Sequence, residues 1–373
     1  MNNINIFPYE TIASKEVFFG REKESKEIKE FIAHSNNLVI FSKRRLGKTS
    51  LIKEIFRQIQ EGKKEECLCI YLDIYDITSA EDFGTCLLQG LTSSFKGDIT
   101  SSLKKLSSMF KRVRAEPTFD PTTMKYGIKP VVTALKFEEL LEDFFQSIFD
   151  ISKNKKIVLA IDEFQQISTI KNKKIDALFR KYVQDEKSAN ISYIFLGSKR
   201  HMLTSLFEYK APMFELATPL ELQTINIKEV YAYVSQHLNI KEETNTYIYT
   251  LCDGETKLMQ HIFFLLHVKH KSIKITCELV DEVLEEILLY KTAMYRAILD
   301  TFTLNQKKCL KLLLKYDKGL FSKDVLYEQN LNKSLMQAAI SSLIEKEILD
   351  KKDEIFFIPD RAFELWGKRV YLK

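Results

Sequence analysis

Two short stretches carry residues that could act together on a phosphate. Residues 39–52, VIFSKRRLGKTSLI, pass from a β-branched run through a basic turn into Gly47, Lys48 and Thr49. The order is nearly G-x-x-x-x-G-K-[ST], with Ser42 in place of the first glycine. A loop of this kind aims backbone N–H groups and a helix N-terminus at an anion, adds lysine as a mobile cation, and offers a hydroxyl to Mg²⁺. Ser42 is small enough for the turn and would not fill a phosphate cavity. Taken alone, the stretch also fits a basic turn capping an amphipathic helix.

The second stretch, KKIVLAIDEFQQI, ends a buried apolar run in Asp162 and Glu163. Open α/β sheets place their ligands at the carboxyl ends of parallel strands, where these acids would stand. Asp162 would share a hydrated Mg²⁺ with Thr49, and Glu163 would polarise an attacking water. Two acids capping the following helix is the plainer alternative, and the upstream phosphate loop weighs against it. A third strand, ISYIFLGSKRH, ends in Ser198 and Arg200, which could sense the outermost phosphate or could form an ordinary turn with a surface arginine.

These groups need a sheet to hold them. Strand NLVIF, helix TSLIKEIFRQIQEG and strand CLCIYLDIYD make a βαβ unit, which requires a parallel sheet with crossover helices. Residues 81–115 read as a helix pair ending in the basic run KKLSSMFKRVRAE, and the Pro- and Gly-bearing stretch at 116–130 reads as a hairpin excursion. The alternation of strand and helix ends near residue 222. The expected organisation is a P-loop α/β domain over 1–222 with helices on both faces of its sheet, an α-helical lid over 223–299, and a winged helix-turn-helix over 300–373.

Composition agrees with a folded, helix-rich protein. Of 373 residues, 45% are hydrophobic and 29% charged, with 11 glycines and 7 prolines. No apolar run approaches the roughly 18 residues of a membrane span, and the N-terminus lacks a secretory pattern, so a cytoplasmic protein without membrane contact is expected. Cysteines 67, 69, 86, 252, 277 and 309 are scattered without a C-x-x-C pair, which argues against disulfide or zinc scaffolding. A net charge of +5 permits nucleic-acid binding without requiring it.

The chain resembles the archaeal-type AAA+ ATPases and their bacterial relatives, near the initiator and STAND branches. The resemblance rests on FFGREKESKEI for an N-terminal box, FSKRRLGKTSLI for the phosphate loop, IDEFQQI for the Mg²⁺ strand, YIFLGSKRHML for the sensor strand, and IPDRAFELWGKRV for the end of the winged helix. It implies ATP and Mg²⁺ as ligands and slow hydrolysis to ADP and phosphate. It places Ser42, Lys43, Arg44, Arg45, Leu46, Gly47, Lys48, Thr49 and Ser50 on the nucleotide, with Ser198, Arg200 and Lys257 beside it. Thr49 and Asp162 would hold Mg²⁺, and Lys48 and Glu163 would be catalytic. Two departures stand out. In CDGETKLMQHI, Lys257 stands where relatives often carry arginine, and YKAPMFELATPL lacks an arginine after its aromatic, leaving Arg180 as a substitute for action on a neighbouring subunit.

Two functions follow. One is an ATPase that couples its nucleotide state to DNA through a recognition helix bearing Asn332, Lys333, Ser334 and Gln337. The other is an ATP-gated switch or assembly protein, as a homo-oligomer or with a protein partner, whose winged helix packs against protein. Residues 332–373 hold eight Lys and Arg against seven Asp and Glu, a weak balance for gripping phosphates.

Overall fold

The computed structural model describes residues 5–62, 66–94, 113–120, 125–132, 137–170, 175–198, 206–207, 209–211, 213–316, 318–352 and 355–372. They divide into two compact units, one of Ala13–Lys43 and Lys48–Gln223, the other of Met1–Ile12, Arg44–Gly47 and Thr224–Lys373.

The first unit is built on a five-stranded parallel sheet. Its strands are β1 (Leu38–Phe41), β2 (Cys67–Asp73), β5 (Lys156–Asp162), β6 (Ile191–Gly197) and β7 (Thr218–Glu221), in the order β2-β5-β6-β1-β7. The strands carry apolar residues almost continuously because both sheet faces are covered. Their period of two divides the core. Leu38, Ile40, Val158, Ala160, Ile194 and Leu196 face helices α1 (Glu22–Ala33) and α2 (Lys48–Gly62) through residues such as Ile28, Ile32, Leu51 and Ile55. Val39, Phe41, Ile157, Leu159, Ile161 and Phe195 face the other side, with α3 (Ala80–Ser94), α4 (Phe137–Ser152) and α5 (Ile175–Val183). Each fully buried side chain of this kind is worth about 1.5–3 kcal/mol.

The sequence pattern does not announce β7. It has four residues and carries Pro219, and it survives as an edge strand paired only to β1, where a missing N–H costs little. Strands β3 (Val113–Asp120) and β4 (Lys125–Val132) pair antiparallel, from Val113 with Val132 to Asp120 with Lys125. Residues 113–115 are therefore strand, where the sequence reads as the end of a helix pair. The body of that second helix falls on residues 95–112, outside the described residues. Cross-strand pairing within this hairpin overrides the helical preference there.

The second unit is mostly helical. It contains α6 (Ile227–Val234), α7 (Glu242–Leu251), α8 (Thr256–His270) and the long α9 (Cys277–Asp300). Helices α10 (Leu304–Lys315), α11 (Lys323–Glu328) and α12 (Lys333–Glu345) follow, then the antiparallel pair β8 (Asp350–Lys352) and β9 (Ile355–Phe357), which makes a winged helix. A capping box between Thr303 and Gln306 starts α10. Helix α13 (Arg361–Trp366), continued by a π-helical turn over Gly367–Tyr371, docks on α9: Tyr295 meets Phe363 and Trp366 with ring centroids 5.0 and 5.4 Å apart, and the Trp366 indole donates to Thr292 Oγ1 at 3.0 Å. Phe7, fully buried, packs against Tyr233, His237, Phe263 and His267 in the same unit. Among the described residues no helix is long and apolar enough to cross a membrane.

Candidate functional site

In the parallel-sheet unit, the polar groups collect at the carboxyl ends of the strands. Lys48 opens α2 and is only 8% exposed. The next residue, Thr49, donates its hydroxyl to Asp162 Oδ2 at 2.8 Å. Asp162 is the last residue of β5, 4% exposed, and its other oxygen accepts the Glu163 N–H at 2.9 Å. The Tyr71 hydroxyl, from β2, also donates to Asp162 Oδ2. Burial first, and then the Asp162 charge, push the Tyr71 hydroxyl far above its ordinary pKa, so it keeps its proton and remains a donor.

Glu163 stands just past the strand with φ of 56°, a left-handed conformation that re-aims its side chain at the start of a short 3-10 turn. Ser198 Oγ lies 3.0 and 2.9 Å from its two carboxylate oxygens, and the Gln165 amide donates to it as well. Ser198 directly follows β6, the neighbour of β5 on one side and of β1 on the other. The sheet order thus sets Ser198 beside Glu163. Asp73 ends β2 in register with Asp162, and burial followed by the Asp162 and Glu163 charges raises its carboxyl, partly offset by the Tyr75 N–H.

The remaining sheet-unit candidates are partly engaged elsewhere. The buried Ser42 hydroxyl donates to the Lys43 carbonyl at 2.7 Å, while Lys43 itself is exposed. Ser50 Oγ accepts the Ala13 N–H at 3.3 Å, tying the incoming chain to α2. Arg180 donates to Gln184 at 3.1 Å. Arg200 lies outside the described residues.

Arg44–Gly47 belong to the other unit. Gly47 has φ of +87°, with open space where a Cβ would stand, so backbone conformation is what calls for glycine. Leu46 is buried. Arg44 pairs with Glu347, and Arg45, at φ 67°, pairs with Asp360 and lies 3.7 Å from Glu255. The Arg45 carbonyl accepts the Lys257 N–H at 3.2 Å, so Lys257 meets this loop through its backbone. Burial pushes the Glu255 carboxyl up to about 7, with Arg45 opposing the rise and Asp360 adding to it.

In the winged helix, Asn332 spends its side chain capping α12, accepting the Leu335 N–H at 2.8 Å, whereas Lys333, Ser334 and Gln337 are exposed. Sequence reasoning did not find Tyr71, Gln165, Glu255, Glu347 or Asp360. Only the last had a signal, its position at the head of RAFELW.

Thr49 and Asp162 offer two hard oxygen donors, the set Mg²⁺ takes when water and phosphate oxygens complete its shell. No group of three or more His, Cys, Asp or Glu able to hold a metal occurs among the described residues.

Comparison with known proteins fits this geometry. Residues 18–262, more than half the chain, match a family described as an ATPase domain predominantly from Archaea, and residues 293–369 match a probable winged helix domain. No curated protein matches the chain significantly. Among solved structures, a Walker-type ATPase of Pyrococcus abyssi superposes with a TM-score of 0.66 at 16% identity, over 97% of this chain and 99% of that one. The Orc1 protein of Aeropyrum pernix, solved in complex with DNA, gives 0.51 at 11% identity, over 98% and 96%. These likenesses bear out the fold, a five-stranded parallel sheet flanked by helices, followed by a helical C-terminal region with a winged helix. The chain therefore belongs to the family of ATPase domains found predominantly in Archaea.

Proposed function

We propose that this protein binds ATP with Mg²⁺ and hydrolyses it to ADP and phosphate, using Lys48, Thr49, Asp162 and Glu163. The observation that carries the reading is the 2.8 Å contact of Thr49 with Asp162, beside a Glu163 presented by a left-handed turn and held by Ser198. Thr49 and Asp162 would hold Mg²⁺, which supplies charge neutralisation on the phosphates when bound. The backbone N–H groups of the loop through Gly47 and the N-terminus of α2 would receive phosphate oxygens, with Lys48 as a point charge. Glu163 would accept the proton of the attacking water, and Ser198 would keep that carboxylate aimed.

Coupling to DNA belongs to the same proposal. It is supported by the winged helix, by the exposed Lys333, Ser334 and Gln337 on α12, and by a structural neighbour solved with DNA. A second reading, a nucleotide-gated switch whose winged helix docks protein, draws on a groove of about 900 Å³ lined largely by apolar side chains, including Phe321, Ile340, Ile344 and Ile355. One assay separates them: ATP hydrolysis by wild type, Lys48→Ala and Glu163→Gln, with and without duplex DNA. The DNA-acting ATPase predicts turnover lost in both variants and raised by DNA in wild type. Tight ATP binding, lost only in Lys48→Ala, with negligible turnover in every sample would sink it in favour of the switch.

A further inference from the structure

The loop that carries the phosphate-binding sequence is tied down by three carboxylates far from it in the chain. Arg44 meets Glu347, which follows α12, and Arg45 meets Asp360 and Glu255. The Arg45 carbonyl is tied to the first turn of α8 by Lys257. Arg45 holds a left-handed φ of 67°, which a non-glycine residue adopts at a cost when other contacts compensate.

Both acids around Arg45 are rigidly placed. Asp360 caps α13, accepting the Phe363 N–H at 3.1 Å, and α13 is locked to α9 by the Tyr295, Phe363 and Trp366 rings. The Glu255 side chain is 8% exposed, and its second oxygen accepts the Arg361 N–H at 3.1 Å. Arg361 is itself fixed through the Leu251 carbonyl at 2.8 Å and Glu364 at 2.6 Å. A guanidinium paired this way is charge-neutralised, and phosphate and carboxylate bind it with the same planar fork.

We propose that Asp360 and Glu255 form a latch on Arg45 that competes with nucleotide phosphate, so that the C-terminal winged helix sets the affinity of the phosphate loop for ATP. The inference rests on the nucleotide-binding reading of that loop. Asp360 and Glu255 are positioning residues in it: they act through Arg45 and touch no nucleotide. Because the latch joins the lid helix α8 and the terminal helix α13 to one loop side chain, any partner that shifts α13 would change nucleotide affinity, and nucleotide would change partner affinity by the same factor.

The buried carboxylate gives the latch a proton signature. Glu255 is faced by Arg45 from the loop, by Lys291 from α9, by Asp360 and the Arg361 N–H from α13, and by Cys252 from the end of α7. With its carboxyl already pushed up to about 7, losing Arg45 would raise it further, and the protein would take up a proton near neutral pH as ATP binds.

The test is calorimetric titration of the full chain with ATP, in two buffers of different ionisation enthalpy at pH 7.5, for wild type, Asp360→Asn, Glu255→Gln and Lys48→Ala. Asparagine caps helices as well as aspartate, so Asp360→Asn keeps α13 while removing the charge. Each of Asp360→Asn and Glu255→Gln should bind ATP about five- to tenfold more tightly, the size of an ordinary coupling between sites. Proton uptake should appear in wild type and vanish in Glu255→Gln. Affinities within twofold of wild type in both, or weaker in both, with binding lost in Lys48→Ala, would overturn the latch. Equal proton counts in wild type and Glu255→Gln would also count against it. Undiminished binding by Lys48→Ala would instead overturn the nucleotide reading itself.

Discussion

The Tyr71 hydroxyl and the Thr49 hydroxyl converge on one oxygen, Oδ2 of Asp162. Tyr71 thereby fixes the rotamer of the carboxylate proposed to face Mg²⁺, and its ring is covered by Lys53 at 4.7 Å from the centroid. Tyr71→Phe keeps the ring and this contact and deletes only the hydroxyl. The Mg²⁺ concentration giving half-maximal ATP turnover should rise about tenfold, the usual effect of removing a group that orients a metal ligand, with turnover at saturating Mg²⁺ changed by less than about threefold. A Mg²⁺ titration of steady-state turnover checks this, and an unchanged Mg²⁺ midpoint would refute it.

Tyr71 also shows why part of the site was legible and part was not. Asp162 ends a buried apolar run, Glu163 follows it, and Thr49 comes directly after Gly47 and Lys48 at the start of α2, so their types and places in the chain give their position at the sheet edge. Tyr71 sits inside CLCIYLD as one of several large residues. Only the β2–β5 register, with Tyr71 opposite Ala160, brings its hydroxyl to Asp162. The acids around Arg45 are harder still. Glu255 and Asp360 lie at the starts of two helices whose meeting depends on aromatic packing between α9 and α13, which no local pattern encodes. Asn332, placed by the sequence on the candidate recognition helix, spends its side chain on capping that helix.

Glu54 gives a pH prediction for the sheet unit. It is 2% exposed on α2 and accepts the Lys15 N–H at 3.0 Å, the Gln58 amide at 2.7 Å, and two donors from Arg57. Burial raises its carboxyl, but the hydrogen bonds from Arg57, Gln58 and Lys15 win and hold it down to about 2, against an ordinary 4.5. A depressed carboxylate contributes stability that is fully present above the unfolded pKa and is lost as pH falls from about 4.5 through about 2. Glu54→Gln should therefore cost roughly 2–3 kcal/mol at pH 7, with the difference shrinking toward zero near pH 2. Urea unfolding of both proteins at several pH values measures it. A difference that does not change between pH 7 and pH 3 would show that packing, not charge, is responsible.

Ser198 tests the proposed division of labour at the strand ends. Its hydroxyl is shared between the two Glu163 oxygens at 3.0 and 2.9 Å, and Gln165 supplies the other side-chain donor to that carboxylate. Glu163 gets its direction from a left-handed backbone at φ 56°, and among the described residues these two donors hold its carboxylate. Ser198→Ala removes one of them without touching Lys48, Thr49 or Asp162. The loss should fall on proton transfer from water rather than on phosphate binding: turnover lower by about tenfold to a hundredfold, within the range a positioned general base supplies, and ATP affinity within twofold of wild type. Paired measurements of kcat and the ATP Kd decide it. If Kd weakens in step with kcat, Ser198 contacts the nucleotide itself, and the role assigned to it here as the residue that aims Glu163 is wrong.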